Sequence, residues 1–279
     1  MGELLEPEYL EKRLDGILEW KNLTIQKVYG AEAVTKESLL SWLREFGEPL
    51  KPYICDTSLY LDKAAKEGKK ILFEAQLGAL RDIDFGIYPF TSSSSTIGAY
   101  APVGAGIPNH KLDLSIGVMK AYSTCVGEGP FTCEMFGEEA EELRKAGGEY
   151  GAATGRPRRV GPFDVPASRY GVRMQGADEV ALTKMDVLSS LKEIPVCVAY
   201  DVDGELTTDF PTGAKLDRAK PVVEKLPGWN CDISGCRKWE DLPKEAQDYV
   251  LFLEEKVGCP IRCISVGAER DAYLLHEQN

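Results

Sequence analysis

Three stretches of the sequence carry side chains that could bind or transfer something. The first is Gly147–Arg159, a glycine-rich run that ends in Arg156, Arg158 and Arg159 inside a protein of formal net charge −12. Glycines let the backbone turn its N–H groups toward a ligand, and guanidinium forks match carboxylate or phosphate oxygens two at a time. The run therefore reads either as an anion site or as a solvated basic turn. The second is Lys184-Met185-Asp186, placed directly after the strand pattern Glu179–Thr183. Charges at the carboxyl end of a strand lie where open α/β sheets bind ligands. An aspartate there can accept from the N1–H and exocyclic amine of guanine while the lysine stem lies along the base plane. Capping a following helix is the other use for such an aspartate. The third stretch pairs Asp82–Gly86 with Thr91–Thr96, carboxylates followed by a row of hydroxyls in a region without period, which also fits a plain polar surface loop.

Composition removes several alternatives. The sequence pI is near 4.9, and no basic stripe exists to displace counterions along a phosphate backbone, so nucleic acid is disfavoured as a partner. No run of about 20 apolar residues could span a bilayer. The N-terminal residues are acidic, without the basic-then-apolar order of a secretory signal, so the expected location is the cytoplasm. Eight scattered cysteines suit buried free thiols in a reducing compartment. Cys231/Cys236 and Cys259/Cys263 are spaced more widely than the close pairs of a four-thiolate zinc site. Neither of the two histidines, His110 and His276, stands beside a nucleophile motif, which argues against a Ser-His or Cys-His hydrolase. No Gly-x-x-x-x-Gly-Lys-Ser/Thr run is present.

The elements that must position these residues divide at residue 70. Residues 1–69 read as a helical section: one helix from Pro7 toward Gly30 with Leu10, Leu14, Ile17 and Leu18 as its stripe, a second after Thr35 ending at Gly47, and a third from about Asp56 to Gly68. Residues 70–279 read as α/β. Ile71-Leu72-Phe73, Leu114–Ala121, Glu179–Thr183 and Ile261–Val266 are strand patterns, and Ile194–Tyr200 with Leu206–Phe210 flank Asp203-Gly204, a type I′ hairpin signal. Gly137–Ala146 is helical, Asp164 and Pro166 open a helix toward Gly176, and Asp241 and Pro243 open a long one. The long one carries Ala246, Val250, Leu253 and Val257 on one face and stops at Gly258. The expected architecture is α/β, a mainly parallel sheet flanked by helices, with a β-hairpin appended. If the strands before Lys184 and after Ile261 are neighbours, Lys184–Asp186 and Ser265–Gly267 face one crevice.

Several stretches together resemble the adenylosuccinate synthetases in order and spacing, over nearly the whole chain: Ile71–Glu74, Asp82–Gly86, Tyr88–Phe90, Lys120–Tyr122, Val126–Phe131, Ala153–Arg159, Leu182–Leu188, Leu226–Trp229 and Ser265–Gly267. The resemblance implies a P-loop-NTPase-like fold and a GTP-dependent ligase of purine biosynthesis. That enzyme joins IMP and L-aspartate into adenylosuccinate with magnesium, as a cytoplasmic homodimer. By position it implies that Ala152, Ala153, Thr154, Gly155, Arg156 and Arg158 bind aspartate. Leu77, Ser92 and Arg156 would bind IMP, and Arg158, Lys184, Met185, Asp186, Ser265, Val266 and Gly267 would bind GTP. The family's phosphate loop, catalytic Asp and His, magnesium ligands and dimer-crossing arginine belong to an N-terminal part that this sequence does not contain. No catalytic or metal residue is therefore assigned. The implied molecule is a C-terminal portion that lacks part of its sheet and exposes an unpaired apolar edge. It would be inactive alone and completed by a separate N-terminal chain; the alternative is a non-catalytic remnant that binds guanine nucleotide or a partner. The sequence departs from the family pattern at Leu77, where a glutamine is usual and Gln76 stands one place early. It departs again at Cys125 for arginine, Ala153 for threonine and Ala268 for proline.

Overall fold

Capping chemistry sets the helices of the N-terminal unit, residues 1–71 with 105–107. Helix α1 (Pro7–Lys27) starts on a proline, whose missing N–H costs nothing in a first turn. Thr35 accepts from the Ser38 N–H to start α2 (Lys36–Gly47), and Asp56 accepts from the Leu59 N–H to start α3 (Thr57–Lys66). The Asn22 side chain donates to the Val34 carbonyl and accepts from its N–H, both at 2.8 Å, tying α1 to the segment that enters α2. The computed structural model describes residues 1–151 and 155–276.

The second unit, residues 72–104 and 108–279, runs α4 (Ala101–Gly104), β1 (Ile116–Lys120), β2 (Ser123–Cys125), α5 (Gly137–Gly147), β3 (Arg159–Gly161), β4 (Phe163–Asp164), α6 (Val165–Gln175), β5 (Glu179–Thr183), β6 (Glu193–Val202), β7 (Glu205–Thr207), α7 (Ala214–Arg218), β8 (Lys220–Pro227), α8 (Lys244–Val257), β9 (Ile261–Ser265) and β10 (Tyr273–Leu275). It is α/β, with helices flanking mixed sheets. The parallel part is the run β1-β5-β9, which β10 extends antiparallel. A second sheet is built on β6, parallel to β4 and antiparallel to β7 and β8, and β2 pairs with β3 alone.

Helix α8 covers the parallel strands. Its Ala246, Tyr249, Val250, Leu253 and Val257 are buried in one cluster with Val180, Leu182, Ile261 and Ile264. Gly258 ends α8 in the left-handed conformation, φ 75°, which costs a residue without Cβ little. Asp203 and Gly204 both have positive φ, as a type I′ turn between β6 and β7 requires.

Three expectations need correction. Ile71-Leu72-Phe73 is not a strand: it is extended coil, and Leu72 is 91% exposed. A triplet of β-formers gains nothing without an edge to pair with, and among the described residues no strand pairs with it. The same holds for the outer edge of β1, where Ile116 and Val118 are exposed. The second hairpin strand ends at Thr207, short of Phe210, which packs its ring against Tyr170 and Tyr200 instead. The cysteines are free but not uniformly buried: Cys133, Cys197 and Cys259 are, whereas Cys55 and Cys231 are exposed. Among the described residues no helix is long and apolar enough to cross a membrane.

Leu253→Ala should leave a cavity under α8 and cost about 2–5 kcal/mol. Leu206→Ala, at a position 73% exposed, should stay within about 0.5 kcal/mol of the parent. Urea denaturation of the two variants followed by tryptophan fluorescence checks the difference.

Candidate functional site

The candidate site lies at the carboxyl ends of three adjacent parallel strands. β5 lies between β1 and β9, with Lys120 opposite Thr183 and Leu182 opposite Ile264. Lys184–Asp186 and Ser265–Gly267 therefore leave the sheet side by side, the position where open α/β sheets hold ligands. The chain turns at Lys184 through the left-handed region, φ 62°, into a single 3-10 turn, Met185–Leu188. Asp186 does not cap that turn with its side chain; the Ser189 N–H donates to the Asp186 carbonyl. Among the described residues no donor reaches the half-buried Asp186 carboxylate. Met185 and Val266 point into the core, so only their backbones are available to a ligand. The Ser265 hydroxyl donates to the Gly267 carbonyl at 3.1 Å and closes the second turn.

Beneath these turns sits Glu149, whose side chain has no exposure to solvent. Its Oε1 accepts from Lys120 Nζ at 2.9 Å and from the Tyr122 hydroxyl at 2.5 Å, and lies 3.2 Å from Lys184 Nζ. Its Oε2 accepts from Arg158 Nη1 at 2.8 Å. Lys184 Nζ also donates to the Gly147 carbonyl at 2.5 Å. Burial pushes the Glu149 carboxyl up, but the phenol, ammonium and guanidinium donors outweigh it and bring it down to about 2. Burial lowers the pKa of Lys120 against the pull of Glu149. The approach is close enough to require glycine at 147, where a Cβ would come within 2.3 Å of the Tyr122 oxygen.

The Gly147–Arg159 run is a folded-back loop. Tyr150 bridges Pro157, the Gly151 N–H donates to the Arg156 carbonyl, and the Arg158 N–H donates to the Glu149 carbonyl. Gly155 takes φ 64° and donates its N–H to the Gly151 carbonyl at 2.7 Å. Ala152, Ala153 and Thr154 lie outside the described residues. The three arginines differ in fate. Arg159 is held by Glu134 through Nε and Nη2 and by the Gly127 and Gly129 carbonyls, so it braces the loop and is not part of an anion site. Arg158 gives one nitrogen to Glu149, and its buried Nε has no hydrogen-bond partner among the described residues. Arg156 is exposed.

The remaining predicted residues belong to a second cluster. Asp82 is fully buried and accepts from the N–H groups of Asp84, Phe85 and Thr96 and from the Ser95 hydroxyl. Burial raises its pKa, and these donors bring it below the ordinary value. The same network folds the serine run back, so that the Ser92 N–H donates to the Arg81 carbonyl and its hydroxyl to the Ser94 carbonyl. Arg81 reaches the Phe90, Val126 and Glu128 carbonyls and lies 2.7 Å from Cys125 Sγ, joining Ser92 to the turn after β2. Leu77 stands apart from these bonds, at φ 78° and 56% exposed. No site role follows from the sequence for Lys120, Tyr122, Glu149 or Arg81, although Lys120–Tyr122 is one of the stretches that carry the family resemblance. A lone carboxylate within an arginine-rich run was the one available signal for Glu149.

Comparison with known proteins shows the family. The adenylosuccinate synthetase family profile matches residues 1–274. The adenylosuccinate synthetase of Bifidobacterium adolescentis is 47% identical over 273 residues, covering 98% of this chain and 64% of that protein. That of Heliobacterium modesticaldum is 46% identical over 275 residues, again 98% and 64%. A fully ligated adenylosuccinate synthetase from Plasmodium falciparum superposes with a TM-score of 0.91 at 34% identity, over 99% of this chain and 65% of that one. The chain thus spans 64% of the length of these curated relatives.

A carboxyl held below its unfolded value stabilises the fold fully above that value and loses the contribution as pH falls through the folded one. For Glu149 the window runs from the ordinary 4.5 down to about 2. Tyr122→Phe removes a donor to the buried charge, should cost about 1.5–3 kcal/mol at neutral pH, and should start the acid loss at higher pH. Urea denaturation of parent and variant between neutral pH and about pH 2 measures both effects.

Proposed function

Because the chain belongs to the adenylosuccinate synthetase family, we propose that it holds GTP, IMP and L-aspartate for the ligase reaction that yields adenylosuccinate in purine nucleotide synthesis. In that reaction IMP gives up its N1 proton as its base oxygen attacks the γ-phosphorus of GTP, and GDP leaves. The aspartate amine then attacks the base carbon that bears the phosphorylated oxygen, expels phosphate and loses a proton. The residues of this chain bind and orient. Asp186 takes the guanine N1–H and exocyclic amine, Lys184 lays its stem along the base, and the Ser265–Gly267 turn closes the same edge, with the backbones of Met185 and Val266. Ala152–Arg156 and Arg158 receive the dicarboxylate, Arg158 also serves GTP, and Leu77, Ser92 and Arg156 face IMP.

One observation supports this reading above the rest: a half-buried Asp186 carboxylate that no donor reaches among the described residues, on a turn beside Ser265–Gly267. Phosphoryl transfer depends on positioning and on charge stabilisation by a phosphate cradle and metal. Among the described residues no three His, Cys, Asp or Glu side chains come together to hold a metal. These residues do not fit a magnesium site. The sequence also has no Gly-x-x-x-x-Gly-Lys-Ser/Thr cradle. Turnover is proposed for this chain together with a family-type N-terminal segment, in a cytoplasmic homodimer. The second reading is a non-catalytic protein that binds guanine nucleotide or a partner.

Calorimetry should show GDP binding in preference to ADP. Asp186→Asn should lose roughly 10- to 100-fold of GDP affinity, the worth of about 1.5–3 kcal/mol for a hydrogen bond to a charged group. A parent chain without guanine preference rejects the reading. Product formation from GTP, IMP, aspartate and Mg²⁺ only when the N-terminal segment is added supports the ligase, and none in either case supports the non-catalytic protein.

A further inference from the structure

Glu149 satisfies more of the candidate site than any residue assigned to a ligand. Lys184 belongs to the guanine turn, Arg158 to the returning arm of the anion loop, and Lys120 and Tyr122 to the end of β1 and the residues after it; all four contact the one carboxylate. An unpinned lysine side chain samples many rotamers, and ordering it on binding costs on the order of 1 kcal/mol. Here Nζ is fixed before any ligand arrives, between Glu149 and the Gly147 carbonyl. The ammonium end of Lys184, a residue only two positions before Asp186, is thereby anchored.

We propose that Glu149 is a positioning residue for guanine recognition, holding Lys184 beside Asp186 and fixing Arg158 at the loop through the same buried carboxylate. This rests on the guanine reading above. A purely structural role, neutralising cations in a buried pocket, would need only the charge. A positioning role needs the carboxylate at its distance from Lys184.

The double variant Glu149→Gln/Lys120→Met separates the two, because it removes one charge of each sign and leaves the local sum unchanged. The first readout is the ratio of GDP to ADP affinity by calorimetry. The second is the rate at which an amine-acylating reagent labels Lys184 in the nucleotide-free chain, with Lys225, 65% exposed on its side chain, as the internal reference. The thermal midpoint reports folding. In a folded double variant the GDP preference should fall about tenfold, equivalent to about 1.4 kcal/mol, and Lys184 labelling should accelerate while Lys225 does not change. Glu149→Asp keeps the charge and withdraws the carboxylate by one methylene, so it should move both readouts the same way by less; it carries the test if the double variant does not fold. An unchanged GDP preference in a folded variant overturns the proposal. A parent chain that shows no guanine preference sinks the guanine assignment itself. The labelling needs no nucleotide and then decides alone: unchanged Lys184 reactivity overturns the hold of Glu149 on Lys184, and faster labelling upholds it.

Discussion

A carboxylate shut off from water is the constraint on which the site depends. Taking Glu149 out of solvent is costly unless charge and hydrogen bonds are returned to it. The return comes from three cations and a phenol whose elements are distant in sequence: β1 and the residues after it, the turn after β5, and the loop after α5. Because each donor is needed, each element is held in place by the others. The two lysines and Arg158 repel one another, and they share a pocket only because Glu149 stands among them. Gly147 belongs to the same constraint, since any side chain there would collide with Tyr122.

The irregular segment before β1 is solved by the same physics with different donors. Asp82 collects backbone N–H groups from both sides of its loop, and its neighbour Arg81 collects carbonyls. Adjacent residues thus satisfy the two halves of the peptide group where no helix or ladder does so. This is how a stretch of little regular structure presents Ser92 in a fixed place. It also explains why the hydroxyl row is not merely a polar surface loop: Thr96 is buried, and its N–H is committed to Asp82.

What could be read from the sequence was what is decided locally. Thr35, Asp56 and Asp164 cap helices, Gly176 and Gly258 end them, and Asp203-Gly204 turns a hairpin, because each depends on a few consecutive residues. Lys184–Asp186 was legible as a strand end; that it shares a crevice with Ser265–Gly267 followed only if their strands were neighbours, and that adjacency of β5 and β9 is set by the core under α8 and not by local sequence. Glu149 was missed because Tyr122 is 27 residues away and no periodicity links them. Ile71–Phe73 failed in the opposite sense, with a strand-like composition and no edge to join. β2, β3, β4 and β10 are too short to show alternation at all.

The count of arginines in the Gly147–Arg159 run overstates the charge available to a ligand. Arg159 is neutralised by Glu134, and part of Arg158 is used by Glu149. Yet one carboxylate cannot balance Lys120, Lys184 and Arg158, so positive charge remains at the strand ends even though the protein as a whole is acidic. The carboxylate has no solvent exposure, whereas the side chains of Lys120, Arg158 and Lys184 are 27%, 32% and 36% exposed, so the uncancelled charge lies toward the solvent side of the site. An anion that met Arg158 would complete a neutralisation that the fold leaves unfinished, since its buried Nε has no hydrogen-bond partner among the described residues. The local positive charge is therefore set by what the internal carboxylate fails to cancel, a property that neither the net charge nor the arginine count expresses.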